Sequence, residues 1–213
     1  MHAPLTRIAG IWLLTVLLAL SGLAARAEAL TPDAATRYIT DMGNRAVALL
    51  AKQGDQQLRH GEFSRLMIDA IDFDAIALQT LGKMARTVSE RDKRAFTRLF
   101  AAHVIDVAIE KFGNIQIVRF QAGNARMQPN GDVKVHTVIE REGDQKLSVD
   151  WRVRLTRGSP MINDIEVEGY SLVIHYRGEF ERGNVSNVPG LIGKLKDMNK
   201  NSVALATVQA EMR

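Results

Sequence analysis

The chain contains no cysteine among its 213 residues. That excludes disulfides, a thiolate metal site and a lipid-modified N-terminal cysteine, so stability has to come from a packed core. Aromatic residues are scarce at 6%, and none falls in the aromatic-plus-basic pattern of an RNA-binding sheet. There is no run of like charge. The formal net charge of +4 is spread along the chain, which argues against a polybasic nucleic-acid arm. A glycine-rich phosphate loop and a Gly-x-Ser-x-Gly elbow are both missing. His60, His103, His136 and His175 lie far apart, with no His-x-x-x-His pair. They read as hydrogen-bonded core or boundary residues, and no metal is expected. No repeat, low-complexity tract or linker divides the chain.

What is present is a hydrophobic content of 46%, enough for one domain with a sizeable core. At the N-terminus, Arg7 precedes an apolar run over residues 8–20, and small residues end in Ala25-Arg26-Ala27. That run fits the ~7–15 residues of a secretory h-region and is short for a ~20-residue membrane span. Residues 1–27 are therefore expected to be a cleaved signal peptide, with Ala27-Glu28-Ala29 as a neighbouring cleavage site and an uncleaved anchor as the competing reading. Residues 28–213 are expected to form one exported, periplasmic domain. Loss of Arg7 and Arg26 would take the net charge from +4 to +2.

Thr31-Pro32-Asp33 starts a helix: a cap, proline in the first turn and an acid behind it. Met42, Ala46, Leu49 and Leu50 continue it at helical spacing, and Gly54 closes it. Phe63 to Ile71 carries a second helix, and a third runs from Asp72 to a glycine cap at Gly82. Ser89 opens the longest one, with Phe96, Phe100, His103, Val104, Val107 and Ala108 on its apolar side. After Gly113 the period changes from 3.6 to 2. Strands follow around Ile115 to Phe120, Val133 to Ile139, Leu147 to Leu155 and Ile162 to Val167, separated by turn signals such as Pro129-Asn130-Gly131-Asp132. Helices are expected near residues 171–183 and 188–199. The tail, 201–213, is weakly patterned. The expected fold is α+β, a curved four-stranded antiparallel sheet packed against helices.

The most distinctive stretch is residues 162–180. Ile165 and Val167 alternate with Asp164, Glu166 and Glu168, Gly169 breaks the pattern, and Ser171 caps a helix bearing Leu172, Tyr176 and Phe180. Asp164, Val167-Glu168-Gly169, Ser171-Leu172, Tyr176-Arg177 and Glu179-Phe180 resemble the signature of the MlaC family. Ile71-Asp72-Phe73-Asp74, Leu81-Gly82, Phe96, Phe100, Leu191-Ile192 and Leu195 extend the resemblance over about residues 60–197. Met84-Ala85 and Tyr170 depart from the family pattern. The resemblance implies an apolar cavity enclosed by sheet and helices, with phospholipid as cargo and no further cofactor. It also implies shuttling between an outer-membrane lipoprotein–porin complex and an inner-membrane ABC transporter complex.

Under that reading the acyl chains would be lined by Val135, Ile139, Val149, Trp151 and Val153 from strands and by Leu81, Phe100, Val104 and Tyr176 from helices. The stripe Leu147, Val149, Trp151, Val153, Leu155 taken alone equally describes an ordinary core. No catalytic residue is expected, and headgroup contacts are expected to be few. Three alternatives stay open. One is a carrier for another lipid such as a hopanoid. Another is a small α+β isomerase-like enzyme using Asp150 or Asp164 as a base, although both alternate onto the face opposite the apolar stripe. The third is an interaction module with no ligand.

Overall fold

The computed structural model describes residues 29–52, 54–112, 117–143, 145–183 and 187–212. The expected signal peptide and its cleavage site, as well as Gly113 and Ile115, lie outside the described residues. Helix α1 (Pro32–Ala51) starts as its sequence dictates, with the Thr31 side chain accepting from the Ala34 N–H at 3.2 Å. α2 (Gln56–Ala70) and α3 (Phe73–Leu81) are each capped by an aspartate, Asp55 and Asp72. Gly82, at φ 54°, ends α3 and leads into a 3₁₀ turn, Gly82–Arg86. α4 (Glu90–Phe112) is the longest element. No helix among the described residues is long and apolar enough to cross a membrane.

The sheet follows as a meander, β1 (Ile117–Met127), β2 (Val133–Arg141), β3 (Lys146–Thr156), β4 (Ser159–Val167) and β5 (Tyr170–Ser171), each antiparallel to the one before. It is open, not closed on itself, and it has five strands where the sequence suggested four. The difference lies at Glu168-Gly169. Both residues have positive φ, 49° and 81°, which is the backbone of a two-residue type I′ hairpin turn. The chain therefore does not pass straight from strand to helix. It returns for two residues, pairing Tyr170 with Val167 and Ser171 with Glu166, before Ser171 caps α5 (Leu172–Arg182).

One face of the sheet is buried. Val133, Val135, Thr137 and Ile139 alternate inward along β2, and Trp151 sits between Val135 and Ile165 on its neighbours. α1 packs on β1 and β2, and α5 on β4 and α3. Behind α5 lies an aromatic cluster. Phe96 and Phe100 stack with centroids 5.6 Å apart, and Phe180 and Tyr176 meet them edge-on. α6 (Val188–Met198) packs on α4, and Asn199 beyond it donates to the Leu99 carbonyl at 2.8 Å. The tail, weakly patterned in sequence, forms α7 (Leu205–Glu211). Asp106 on α4 receives the N–H groups of Val203 and Ala204 just before it, and Val208 is fully buried.

Candidate functional site

The inner sheet face and the helices do not meet everywhere. Between α1, α4, α5 and the sheet lies a pocket of about 500 Å³. Its walls follow from the element periods. α1 contributes Met42, Gly43, Ala46 and Leu50, a stripe at helical spacing. Gly43 has a tight packing role: a Cβ there would lie 2.3 Å from the Phe120 ring, which covers it from β1. α4 contributes Val104, Val107, Ala108 and Lys111, again three and four residues apart. α2 closes the deep end with Phe63 and Met67, near Trp151 and Ile165 of the sheet.

Five of the nine residues expected to line a ligand site are on this wall: Val104, Ile139, Val149, Trp151 and Tyr176. The other four are buried elsewhere. Val135 and Val153 share the inner sheet face but lie beyond the end of the pocket, packed into solid core. Phe100 stands behind Tyr176, edge to face at 5.0 Å. Leu81 is buried at the end of α3. The α1 residues, Phe112, Phe120 and Arg141 belong to the wall and were not foreseen. Trp151 is oriented by its indole N–H, which donates to Thr137 Oγ1 at 2.8 Å, while that hydroxyl donates to the Val149 carbonyl at 3.1 Å. The indole thus has its polar partner within the sheet and leaves its ring to the pocket.

The mouth has a different character. Lys111, Arg141, Tyr170 and His175 stand at one end, where α4 and β2 finish and α5 begins. No carboxylate lines the pocket among the described residues. Arg141 lies with its guanidinium carbon 5.6 Å from the centre of the Phe112 ring. Its Nε is buried without a hydrogen-bond partner among the described residues. A buried N–H with no acceptor costs about 1–3 kcal/mol. Tyr170 and Ile174 are largely exposed, at 78% and 69%; Tyr170 and its strand partner Val167 line the pocket, and Ile174 does not. Tyr170, one of the departures from the family pattern, therefore belongs to the rim. The other, Met84-Ala85, packs against the core in the 3₁₀ turn. The Tyr176 hydroxyl is pushed up to about 12, first by burial and then by the nearby Glu179 charge, so it stays neutral.

The carboxylates that could have served as bases do not line the pocket. Asp164 is not on a solvated face as its alternation suggested. It is 2% exposed. Asp164 pairs with Arg152 on the face opposite Trp151 and Ile165, where Ser171 and Val173 close over it; the register shift falls just before it, at Asn163. Its oxygens accept from the Ile165 N–H at 2.9 Å, the Ser171 hydroxyl at 2.7 Å and the Val173 N–H at 3.3 Å. It fastens the start of α5 to β4. Asp150 lies on the outer face among His136, Lys134 and the Arg152–Glu166 pair. Burial pushes its carboxyl up, but hydrogen bonds from His136 and Lys134 outweigh that and leave it below its ordinary range. Asp132 behaves likewise: burial opposes ionisation, and Arg154, Asn163 and Asn130 more than offset it. Burial lowers the His103 imidazole, partly countered by Asp106. No cluster of three or more metal-ligating side chains occurs among the described residues.

This architecture has a solved counterpart. A phospholipid-binding protein from Ralstonia solanacearum, determined in complex with a phospholipid, superposes with a TM-score of 0.68. It is 18% identical, over 78% of this chain and 97% of that one. The likeness establishes a shared fold. No curated protein matches the chain. The sequence profile of the MlaC protein matches residues 40–197, most of the chain. With the signature around β4 and α5 in its expected place, this protein belongs to the MlaC family.

Proposed function

We propose that this protein is a periplasmic lipid carrier that encloses the acyl chains of a phospholipid in the pocket between α1, α4, α5 and the sheet. The observation that carries the reading is a cleft of about 500 Å³ with an apolar wall, no carboxylate among the described residues and one polar end. Such a volume falls within the ~300–1,000 Å³ of ordinary ligand sites. Acyl chains need no catalytic group, only wall, and each methylene withdrawn from water contributes about 0.8 kcal/mol. Membership of the MlaC family and the phospholipid bound by the Ralstonia relative support the same cargo. Val104, Ile139, Val149, Trp151 and Tyr176 touch the chains in this reading, Phe100 backs Tyr176 from behind, and Leu81, Val135 and Val153 belong to the surrounding core.

The carrier works by differential burial and not by bond chemistry. It screens tails that could not otherwise cross an aqueous compartment, and it passes them between an inner-membrane ABC transporter complex and an outer-membrane lipoprotein–porin complex. Residues 1–27 direct its export and are then removed. Native mass spectrometry of the protein purified from periplasm tests cargo and processing together. The expected species begins at Glu28 and carries phospholipid. A protein that retains Met1 in the membrane fraction refutes the compartment. A lipid-free protein that moves no phospholipid between donor and acceptor vesicles refutes the carrier.

A further inference from the structure

The mouth of the pocket carries a feature that tail binding does not require. The inner face of β2 reads Val133, Val135, Thr137, Ile139 and then Arg141. The pocket stripe of α4 reads Val104, Val107, Ala108 and then Lys111. Two apolar stripes from different elements thus each end in a cation, at the same end of the same pocket. Glu140, the carboxylate next to Arg141 in sequence, alternates to the opposite face, where Arg119 and Lys146 engage it. Among the described residues, neither Lys111 nor Arg141 forms an ion pair. The Phe112 ring orients the Arg141 guanidinium, and its Nε is out of water with no acceptor. Thr97 Oγ1, Asn163 Oδ1 and Asn199 Oδ1 are the other buried polar atoms without a partner among the described residues, and of the four residues only Arg141 lines the pocket.

We propose that Lys111 and Arg141 form an anion clamp that takes the phosphate of the bound lipid's headgroup. This rests on the carrier reading and adds head recognition to it. The phosphate is covalently tied to the chains in the pocket, so its oxygens come to the rim whenever the tails are buried. Arg141 donates to it from a fixed planar fork, and Lys111 adds a mobile point charge. Tyr170 and His175 complete the rim without adding negative charge. The carrier therefore selects for a phosphate head and not for tails alone.

The test offers the protein, as the cell processes it, mixed vesicles of phosphatidylglycerol and diacylglycerol with identical acyl chains, then identifies the bound lipid by mass spectrometry. The wild type is expected to enrich the phospholipid about tenfold, the size of one charge-assisted hydrogen bond. Arg141→Gln and Lys111→Gln should each bring the ratio close to one, by lowering phospholipid loading relative to diacylglycerol loading. Arg141→Lys should keep part of the preference. A wild type that loads both lipids equally overturns the clamp and leaves the carrier intact. A wild type that loads neither overturns both. In a parallel arm, inorganic phosphate at millimolar concentration should not abolish the preference. If it does, the site belongs to the free anion and the headgroup assignment fails.

Discussion

Replacing Trp151 by glutamate tests the carrier reading at the deep end of the pocket. The indole lies between Val135 and Ile165 on the sheet, with its N–H on Thr137 Oγ1 and Phe120 tilted beside it at 6.5 Å. Trp151→Glu removes that surface and puts a carboxylate into an apolar wall, where it keeps water about itself. If the wet end denies the ligand four methylenes at about 0.8 kcal/mol each, binding weakens by about 3 kcal/mol, a factor of about 200. The loss should be specific to charge. Trp151→Gln, which lacks the indole equally, should lose less, and Trp151→Phe should retain lipid. A carboxyl in such a wall titrates above its ordinary range, so retention by Trp151→Glu should recover between pH 7.5 and pH 5.5. Lipid per folded protein, measured after size exclusion and checked by circular dichroism, is the readout. A folded Trp151→Glu protein holding normal lipid at pH 7.5 would refute the placement of the chains.

Asp164→Asn should cost about 3 kcal/mol in denaturant unfolding, because it disturbs a buried, charge-assisted cap. Lipid transfer by the folded fraction should stay within a few-fold of normal; complete loss of transfer in a well-folded variant would favour an enzyme. Gly43→Ala places a Cβ against the Phe120 ring, so the ring is driven from its seat. Overpacking of roughly 1–3 kcal/mol should outweigh the ~1 kcal/mol gain in helix propensity. A Gly43→Ala protein more stable than wild type in urea would contradict that packing. Asp132 and Asp150 are held below their ordinary range in the folded state. Their contribution is fully present above the unfolded value of about 4 and is lost as pH falls through the lower folded values. Thermal melts should therefore be flat above about pH 5 and fall below about pH 4. Asp132→Asn should flatten that acid limb, and an unchanged limb would show that Asp132 does not drive it.

Much of this fold was legible because its elements are patterned over several turns or pleats. Thr31-Pro32-Asp33 and Asp72 begin helices where they stand, Gly82 ends one, and the alternation of β2 gives its inner face directly. What escaped was short or non-periodic. β5 is two residues long, too short for a period, and the positive φ of Glu168 announces itself in no propensity scale. α7 is held by Asp106, a hundred residues earlier, and its own sequence carries little of that bond. Alternation puts Asp164 on the outer face, where it stands, but does not show that Ser171 and Val173, beyond the β4–β5 hairpin, close over it. The pocket was half legible for a similar reason. Periodicity assigns Val135, Val149, Trp151 and Val153 to one face, but it does not say where along that face the helices stand off. The wall stops short of Val135 and Val153 because core fills that end. Arg141 and Lys111 stand at the next positions of two apolar stripes, but apolar periodicity alone does not carry a stripe on into a charged residue.

The strictly sequential sheet also governs how the molecule assembles. Each strand pairs with the one made just before it, so the sheet can zip hairpin by hairpin with small loop-closure costs, which favours quick formation. α1 is different. It is the first described helix, yet its partner on the sheet is β1, which appears only after α2, α3 and α4. The docking of α1 on β1 is thus a long-range, late event. Until it happens Met42, Ala46 and Leu50 have no sheet to cover, and the inner face of β1 and β2 is open to water. A chain stalled at that stage presents greasy strands to its neighbours. Destabilising the α1–β1 contact should therefore raise aggregation during refolding more than an equal loss of stability within the meander.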